Sequence, residues 1–126
     1  MFVGGELYPL HLAISQNWKV HYFSADMDAN AGRRVEEERF LTHMRETIGD
    51  AAVASLEAIA ATLGLDYAGV DFAIDAAGRC VVFEANATMI VPTPQDGEAW
   101  TYRRGPIGRI ERAIRDLLLE KAVVKR

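Results

Sequence analysis

The sequence predicts an α+β protein in which an antiparallel sheet carries helices packed on one face. Three observations predict this class. Short segments rich in alternating and β-branched residues open the chain, and two helical patterns follow them. A hairpin pattern and one more helical pattern then complete the 126 residues. Strands paired as hairpins, with helices grouped between and after them, are typical of α+β domains.

Composition and charge exclude several classes of protein. Half of the residues are hydrophobic and a quarter are charged, which excludes a disordered tail. The 14 basic and 18 acidic residues give a net charge of −4, which opposes a nucleic-acid partner despite three short basic patches. No apolar run reaches the ~20 residues of a membrane span, so no membrane partner is expected. Cys80 is the one cysteine, so we expect a reducing, cytoplasmic environment.

The N-terminal segment has the pattern of an extended chain. Residues 1–3 resemble the end of a strand that enters a turn at Gly4 and Gly5. We therefore expect Met1 to be an internal methionine, or an artificial boundary, of a longer protein. Residues 6–23 predict a meander of two or three antiparallel strands. The polar residues 24–34 predict a loop.

Three amphipathic helices are predicted from their apolar stripes. Gly49 ends the first helix, and the second is expected to begin with Asp50 as its N-cap and to end at Gly64. A loop over residues 88–102 precedes the third helix, which begins near Pro106. The stripes are Phe40, Leu41, Met44 and Ile48; then Val53, Leu56, Ile59, Ala60 and Leu63; then Ile107, Ile110, Ile114, Leu117 and Leu118. No linker or repeat divides the chain, so residues 1–126 are predicted to form a single domain.

The clearest local pattern is a β-hairpin. Residues 67–74 and 79–86 have the composition of strands, and residues 75–78 have that of a turn. If the first and last residues of this turn close it, Asp71 lies opposite Val82. Residues that lie two apart on a strand share a face, so the next side chain on that face lies diagonally across from Asp71, roughly 7–8 Å away.

That diagonal neighbour is Glu84, and Asn86 follows it on the same face. Two carboxylates and an amide oxygen would then converge, and Mg²⁺ prefers such hard oxygen ligands. Gly69, beside Asp71, would leave room for a ligand to approach closely. The alternative interpretation is that Asp71 and Glu84 are solvated side chains on an exposed sheet face.

The hairpin and the helix before it resemble the C-terminal part of an ATP-grasp domain. This superfamily includes glutathione synthetase, D-alanine–D-alanine ligase and the ribosomal-protein glutamate ligase. The resemblance covers about residues 1–120 and implies the C-terminal subdomain of the ATP-grasp fold, cut from a longer protein. The segments that carry it are Gly-Leu-Asp-Tyr-Ala-Gly-Val-Asp-Phe (64–72), Asp-Ala-Ala-Gly-Arg (75–79) and Val-Phe-Glu-Ala-Asn (82–86).

The resemblance also implies roles for individual residues. Asp71 would bind one Mg²⁺, Glu84 would bridge two, and Asn86 would complete the second, so that the ions hold the phosphates of ATP. The segment Trp-Lys-Val-His (18–21) is similar to the family's Trp-Arg motif, which places Lys19 near phosphate as a catalytic and nucleotide-binding residue. A solvated strand lysine is the alternative for Lys19. The family's earlier lobe, with its ATP-contacting lysines and Gly-rich loop, has no counterpart in these 126 residues.

Two functions remain open from the sequence. The first is a fragment of a ligase that uses Mg-ATP to activate a carboxylate as an acyl phosphate and joins it to an amine or a thiol. Its partners would be ATP and an unknown carboxylate and amine substrate. The second is a non-catalytic, degenerate ATP-grasp module that acts in oligomerisation or protein interaction, for which a homodimer is the expected form.

Overall fold

A computed structural model describes residues 1–15 and 27–124 of the chain. The first elements are strands β1 (Phe2–Val3) and β2 (Glu6–Leu7) and helices α1 (Ala31–Thr42), α2 (Met44–Ile48) and α3 (Asp50–Leu63). They are followed by strands β3 (Tyr67–Ile74) and β4 (Cys80–Asn86), a 3₁₀ helix (Glu98–Arg103) and helix α4 (Arg104–Val124).

The strands form one four-stranded antiparallel sheet in the order β2-β1-β3-β4. The prediction of an α+β fold with an antiparallel sheet is therefore confirmed. The first hairpin turns through Gly4 and Gly5, whose φ angles of 58° and 89° favour glycine. The predicted meander over residues 6–23 is shorter than expected where it is described, because β2 ends at Leu7. Residues 16–23 of that prediction lie outside the described residues.

Helices contact both faces of the sheet, so the predicted packing on a single face is wrong. Phe2 packs with Leu56 of α3, whereas its neighbour Val3 packs with Ile107 and Ile110 of α4. Consecutive residues of a strand point to opposite faces. Helix α3 therefore covers one face of β1 and α4 covers the other, and both helices bury an apolar stripe.

The helix boundaries differ from the sequence prediction in three places. The first predicted helix is divided at His43, so that α1 ends at Thr42 and α2 begins at Met44. Helix α1 starts within the predicted loop, because the side chain of Asn30 accepts a hydrogen bond from the Arg33 N–H at 3.2 Å and caps it. Helix α3 is preceded by Gly49 as its N-cap, without a side-chain cap, so the prediction of Asp50 as the cap is wrong. Asp50 is already in the helix, and its carboxylate instead accepts a 2.7 Å hydrogen bond from Arg45.

The C-terminal part of the chain is more helical than predicted. The 3₁₀ helix occupies the end of the predicted loop and continues into α4. Leu117 of α4 packs against the core, but Leu118 is 64% exposed and so does not belong to the buried stripe. Within the described part of the chain, no helix has both the length and the apolar character needed to cross a membrane.

Candidate functional site

The turn of the β3–β4 hairpin is held by one carboxylate. Asp75 accepts hydrogen bonds of 2.9 Å from the backbone N–H groups of Ala77 and Arg79, and a third, of 2.8 Å, from the Arg79 side chain. The backbone and side-chain hydrogen bonds from Arg79 lower the pKa of the Asp75 carboxyl group below its usual value. This turn starts the pairing of the strands at Ile74 opposite Cys80.

A β-bulge then changes the register of the hairpin. Phe72 lies opposite Val82, but the next residue of β3, Asp71, lies opposite Glu84. Phe83 is therefore the extra residue on β4. The predicted pairing of Asp71 with Val82 is wrong. That prediction assumed a regular ladder that begins with Asp75 opposite Gly78, whereas the observed ladder begins with Ile74 opposite Cys80 and contains a bulge.

The bulge decides which face Glu84 occupies. In a regular ladder starting from the observed turn, Asp71 would face Phe83, and Glu84 would point to the opposite side of the sheet. The extra residue restores Glu84 to the face of Asp71 and makes the two carboxylates direct cross-strand partners. Directly opposed residues have Cβ atoms about 4.5–5.5 Å apart, closer than the diagonal separation that the sequence predicted.

The three predicted metal ligands thus share one face at the outer part of the sheet. Asp71 and Glu84 are exposed, and Asn86 is half-buried. The side-chain N–H of Asn86 donates to Oε1 of Glu84 at 3.5 Å. Like charges directly opposite each other on a sheet are unfavourable, so a cation between Asp71 and Glu84 would remove a repulsion. The two carboxylates and the solvent beside them match the ligands that Mg²⁺ takes.

Asn86 differs from the carboxylates in how its oxygen is used. Its Oδ1 atom accepts two hydrogen bonds of 2.8 Å, one from the backbone N–H and one from the hydroxyl group of Thr88. The Asn86 oxygen is therefore already engaged within the chain, unlike the two exposed carboxylates. Within the described ranges, no group of three or more His, Cys, Asp and Glu side chains is arranged to hold a metal, so a third protein ligand would have to be of another kind, such as this amide.

The space above Gly69 is filled by the protein itself. A Cβ atom added to Gly69 would lie 2.0 Å from Cγ of Met89. The Tyr67 hydroxyl group donates to the carbonyl oxygen of Met89 and so ties the segment after β4 onto β3. The expectation that Gly69 leaves room for a ligand is therefore wrong, since its missing side chain accommodates Met89.

A buried amine lies within electrostatic reach of Asp71. The Met1 α-amino group donates to the carbonyl oxygen of Tyr8 at 2.6 Å. Burial lowers the pKa of this amino group to about 6, although the negative charge of Asp71 acts in the opposite direction. A cavity of about 50 Å³ has a mostly apolar lining that includes Met1 and Asp71 but neither Glu84 nor Asn86.

Lys19, the predicted phosphate-binding residue, lies outside the described residues, as does the rest of its Trp-Lys-Val-His segment. The predicted role of Lys19 therefore stays a prediction. The described residues do bring together the other three predicted site residues.

Sequence reasoning missed a buried ionic group in α1. Glu37 is fully buried and accepts hydrogen bonds from the Leu12 N–H at 3.2 Å and from the Tyr102 hydroxyl group. The Arg103 guanidinium, 2% exposed, lies 3.8 Å from the same carboxylate. Arg103 belongs to one of the short basic patches of the sequence, yet it is buried in the fold. A signal was present, because Glu37 lies three and four residues before Phe40 and Leu41 and so shares their buried face.

The contacts of this buried cluster hold separate segments of the fold together. It joins α1, the 3₁₀ helix and the segment after β2, and the aromatic ring of Trp100 lies about 6 Å from the guanidinium groups of both Arg34 and Arg103. Arg34 also donates to the carbonyl oxygens of Met27 and Asp28, at 2.8 Å and 2.6 Å. The charged side chains of this cluster contact other parts of the chain. The carboxylates of the hairpin, in contrast, are exposed to solvent.

Comparisons of the chain with protein-family models, with curated proteins and with solved structures give no significant match. The geometry of the hairpin therefore carries the functional argument.

Proposed function

We propose that the chain is part of an ATP-grasp ligase and that its β3–β4 hairpin binds Mg²⁺ for ATP. In this proposal the full protein activates a carboxylate as an acyl phosphate and joins it to an amine or a thiol, in the cytoplasm. The observation that carries the proposal is the direct pairing of Asp71 with Glu84 across the bulge. A bulge is a costly irregularity that commonly re-aims a side chain next to a functional site.

The residues divide the work in a way that their contacts support. Asp71 and Glu84 supply carboxylate oxygens from adjacent strands, so the rigid hairpin sets the separation between them. Asn86 donates to Glu84 and limits the rotation of that carboxylate. Bound Mg²⁺ supplies positive charge that neutralises phosphate oxygens during phosphoryl transfer. Lys19 is proposed to contact phosphate as a second source of positive charge.

A metal titration tests the carboxylate pair directly. Mn²⁺ is a paramagnetic substitute for Mg²⁺, and its free concentration can be followed by electron paramagnetic resonance. We expect weak binding, with a dissociation constant of about 1 mM or below, because only two carboxylates take part. Asp71→Asn and Glu84→Gln should each weaken binding by about fivefold or more, and Mg²⁺ should displace the Mn²⁺.

Glu46→Gln is the matched control, since it removes the same charge from an exposed position on α2. Helix α2 packs through Ile48 against the α3 side of the sheet, away from the carboxylate face. Equal affinities for Glu84→Gln and Glu46→Gln would mean that the metal responds to net charge alone, and the proposed site would be rejected.

A specific observation favours the second candidate, a non-catalytic interaction module. Strand β4 is at the edge of the sheet, and its Val81, Val82 and Phe83 side chains are 42%, 43% and 70% exposed. Exposed apolar edge strands promote pairing between chains. Light scattering after size-exclusion chromatography tests this candidate. A dimer that Phe83→Lys dissociates, but that Val35→Lys on α1 leaves intact, would support it, whereas a monomer would reject it.

A further inference from the structure

Strand β1 is much shorter than β3, the strand beside it. The two strands pair only as far as Phe2 opposite Ala68, whereas β3 continues well beyond that residue. Because β1 lies between β2 and β3, the space in line with β1 beyond Met1 has the width of one strand. We call this space the strand gap. Residues 9–11 border it on one side and residues 70–72 on the other.

Backbone groups of β3 face the strand gap. The Gly4 N–H donates to the Asp66 carbonyl oxygen at 2.8 Å, so these residues form a hydrogen-bonded pair. Such pairs alternate along an antiparallel ladder, so Ala68, Val70 and Phe72 direct their N–H and C=O groups to the same side of β3. Ala68 meets β1 there, and within the described ranges the pairing of β1 with β3 ends at this residue. Val70 and Phe72 therefore offer donors and acceptors to the gap.

The chain after β2 borders the gap in a matching register. The Tyr8 N–H donates to the Met1 carbonyl oxygen at 2.8 Å, and the Met1 amino group donates to the Tyr8 carbonyl oxygen at 2.6 Å. Tyr8 and Leu10 pack in the same cluster on the α4 side, as alternate residues of an extended segment do. The same alternation directs the nitrogen of Pro9, which has no N–H, away from the gap.

The lining of the gap indicates which side chains would fit there. The cavity of about 50 Å³ that includes Met1 and Asp71 also reaches the helices at Phe40, Met44 and Leu56. A strand in the gap would direct alternate side chains to the α3 side, where Leu56 lies, and apolar side chains fit there. The side chain between them would lie opposite Asp71, where a basic group complements the carboxylate.

The Met1 amino group lies at the end of this gap. It is buried, and desolvation lowers its pKa to about 6. A peptide bond at the same place would carry no charge and would avoid this cost of burial. In the register of β1 and β3, the residue joined to Met1 would lie opposite Val70 and form a hydrogen-bonded pair with it.

We propose that the strand gap holds an extended segment, joined to the Met1 amino group, that continues β1 antiparallel to β3. The segment pairs with the backbones of Val70 and Phe72 and brings a positive charge beside Asp71. The proposal rests on one part of the proposed function, that the chain belongs to a longer protein, but not on Mg²⁺ or ATP.

Hydrogen exchange of single amide groups tests this proposal. In the 126-residue chain, the N–H groups of Val70 and Phe72 should exchange about tenfold or more faster than that of Ala68, which donates to β1. Joining the segment Thr-Val-Lys-Val to Met1 should slow both by about tenfold or more relative to Ala68. Its two valines then lie opposite Phe72 and Val70, and its lysine lies opposite Asp71.

The matched control is the extension Val-Thr-Val-Lys, which has the same composition but directs its valines to the opposite face. It should leave the exchange of Val70 and Phe72 unchanged. Equal slowing by both extensions, or protection of both groups equal to that of Ala68 without any extension, would overturn the proposal. Slowing by an excess of the free acetylated peptide, but not by the joined segment, would assign the gap to a separate chain and also overturn it. Failure of the Mn²⁺ titration would reject the metal site and leave this result unchanged.

Discussion

Replacing Gly69 by alanine should destabilise the protein through one specific collision. The added Cβ atom would lie 2.0, 2.7 and 2.8 Å from Cγ, Sδ and Cε of Met89. Carbon atoms in contact are normally about 3.5–4.0 Å apart. Three successive atoms are affected, so rotation of the methyl end alone cannot relieve the overlap. The whole side chain must move, while Tyr67 holds the Met89 carbonyl oxygen in place.

We expect the free energy of unfolding to fall by about 2 kcal/mol, in the middle of the range for overpacked interiors. For a chain of this size, a urea dependence of about 1.5 kcal/mol per molar would lower the unfolding midpoint by roughly 1.3 M. Equilibrium urea denaturation followed by circular dichroism measures this change. The slope should stay unchanged, because the variant alters packing and not the surface that unfolding exposes.

Two further variants distinguish this collision from a general effect of alanine. Gly105→Ala places a Cβ atom in open space near the start of α4, and it should be neutral or stabilise the protein by up to about 1 kcal/mol. In a Met89→Ala background the collision is absent, so Gly69→Ala should add almost no cost. The reasoning would be refuted if Gly69→Ala cost less than about 0.5 kcal/mol, or if its cost were the same with and without Met89.

Three other predictions concern ionisable groups. Glu37→Gln should cost about 3 kcal/mol of stability in urea denaturation, since it removes the negative member of a buried ion pair, and an unchanged midpoint would contradict this. Asp75 has a lowered pKa in the fold, so its contribution is complete above its unfolded pKa of about 3.8 and is lost as the pH falls through the lower folded value. Asp75→Asn should therefore be less stable than the unchanged chain at pH 7 but approach it as the pH falls below the folded pKa of Asp75, and a constant difference between them would contradict this. In a chain with a free Met1 amino group, whose pKa falls from 8.0 to about 6 on folding, stability should rise from pH 6 to pH 8, by at most about 2.7 kcal/mol. Nα-acetylation should abolish this rise, and a rise that persists would assign it to another group.

Features that depend on neighbouring residues could be predicted from the sequence. The strands and the turn of the second hairpin agree with the structure to within one residue, because Asp75 and Gly78 form the turn through contacts within five residues. Helix α3 ends at Gly64 as predicted, since its φ of 61° is a backbone conformation that glycine adopts without strain. The α+β class follows from the order of such local elements.

The placement of the candidate ligands on a common face was predicted, but through the wrong register. A regular ladder from the observed turn would have separated Asp71 from Glu84, and only the bulge at Phe83 brings them together. No local pattern signals the bulge. One extra residue moves every later side chain of β4 to the opposite face of the sheet. The position of the bulge therefore depends on how the whole of β4 packs against β3 and α3.

The sequence by itself determined which segments become strands, turns and helices, because the hydrogen bonds and backbone conformations that form them lie within a few residues. Tertiary structure alone decided that α3 and α4 cover opposite faces and that Met89 fills the space at Gly69. It also decided that Glu37 is buried beside Arg103, 66 positions further along the chain. These outcomes depend on close packing between distant segments, where the space left by one side chain is filled by whichever neighbour the fold brings to it.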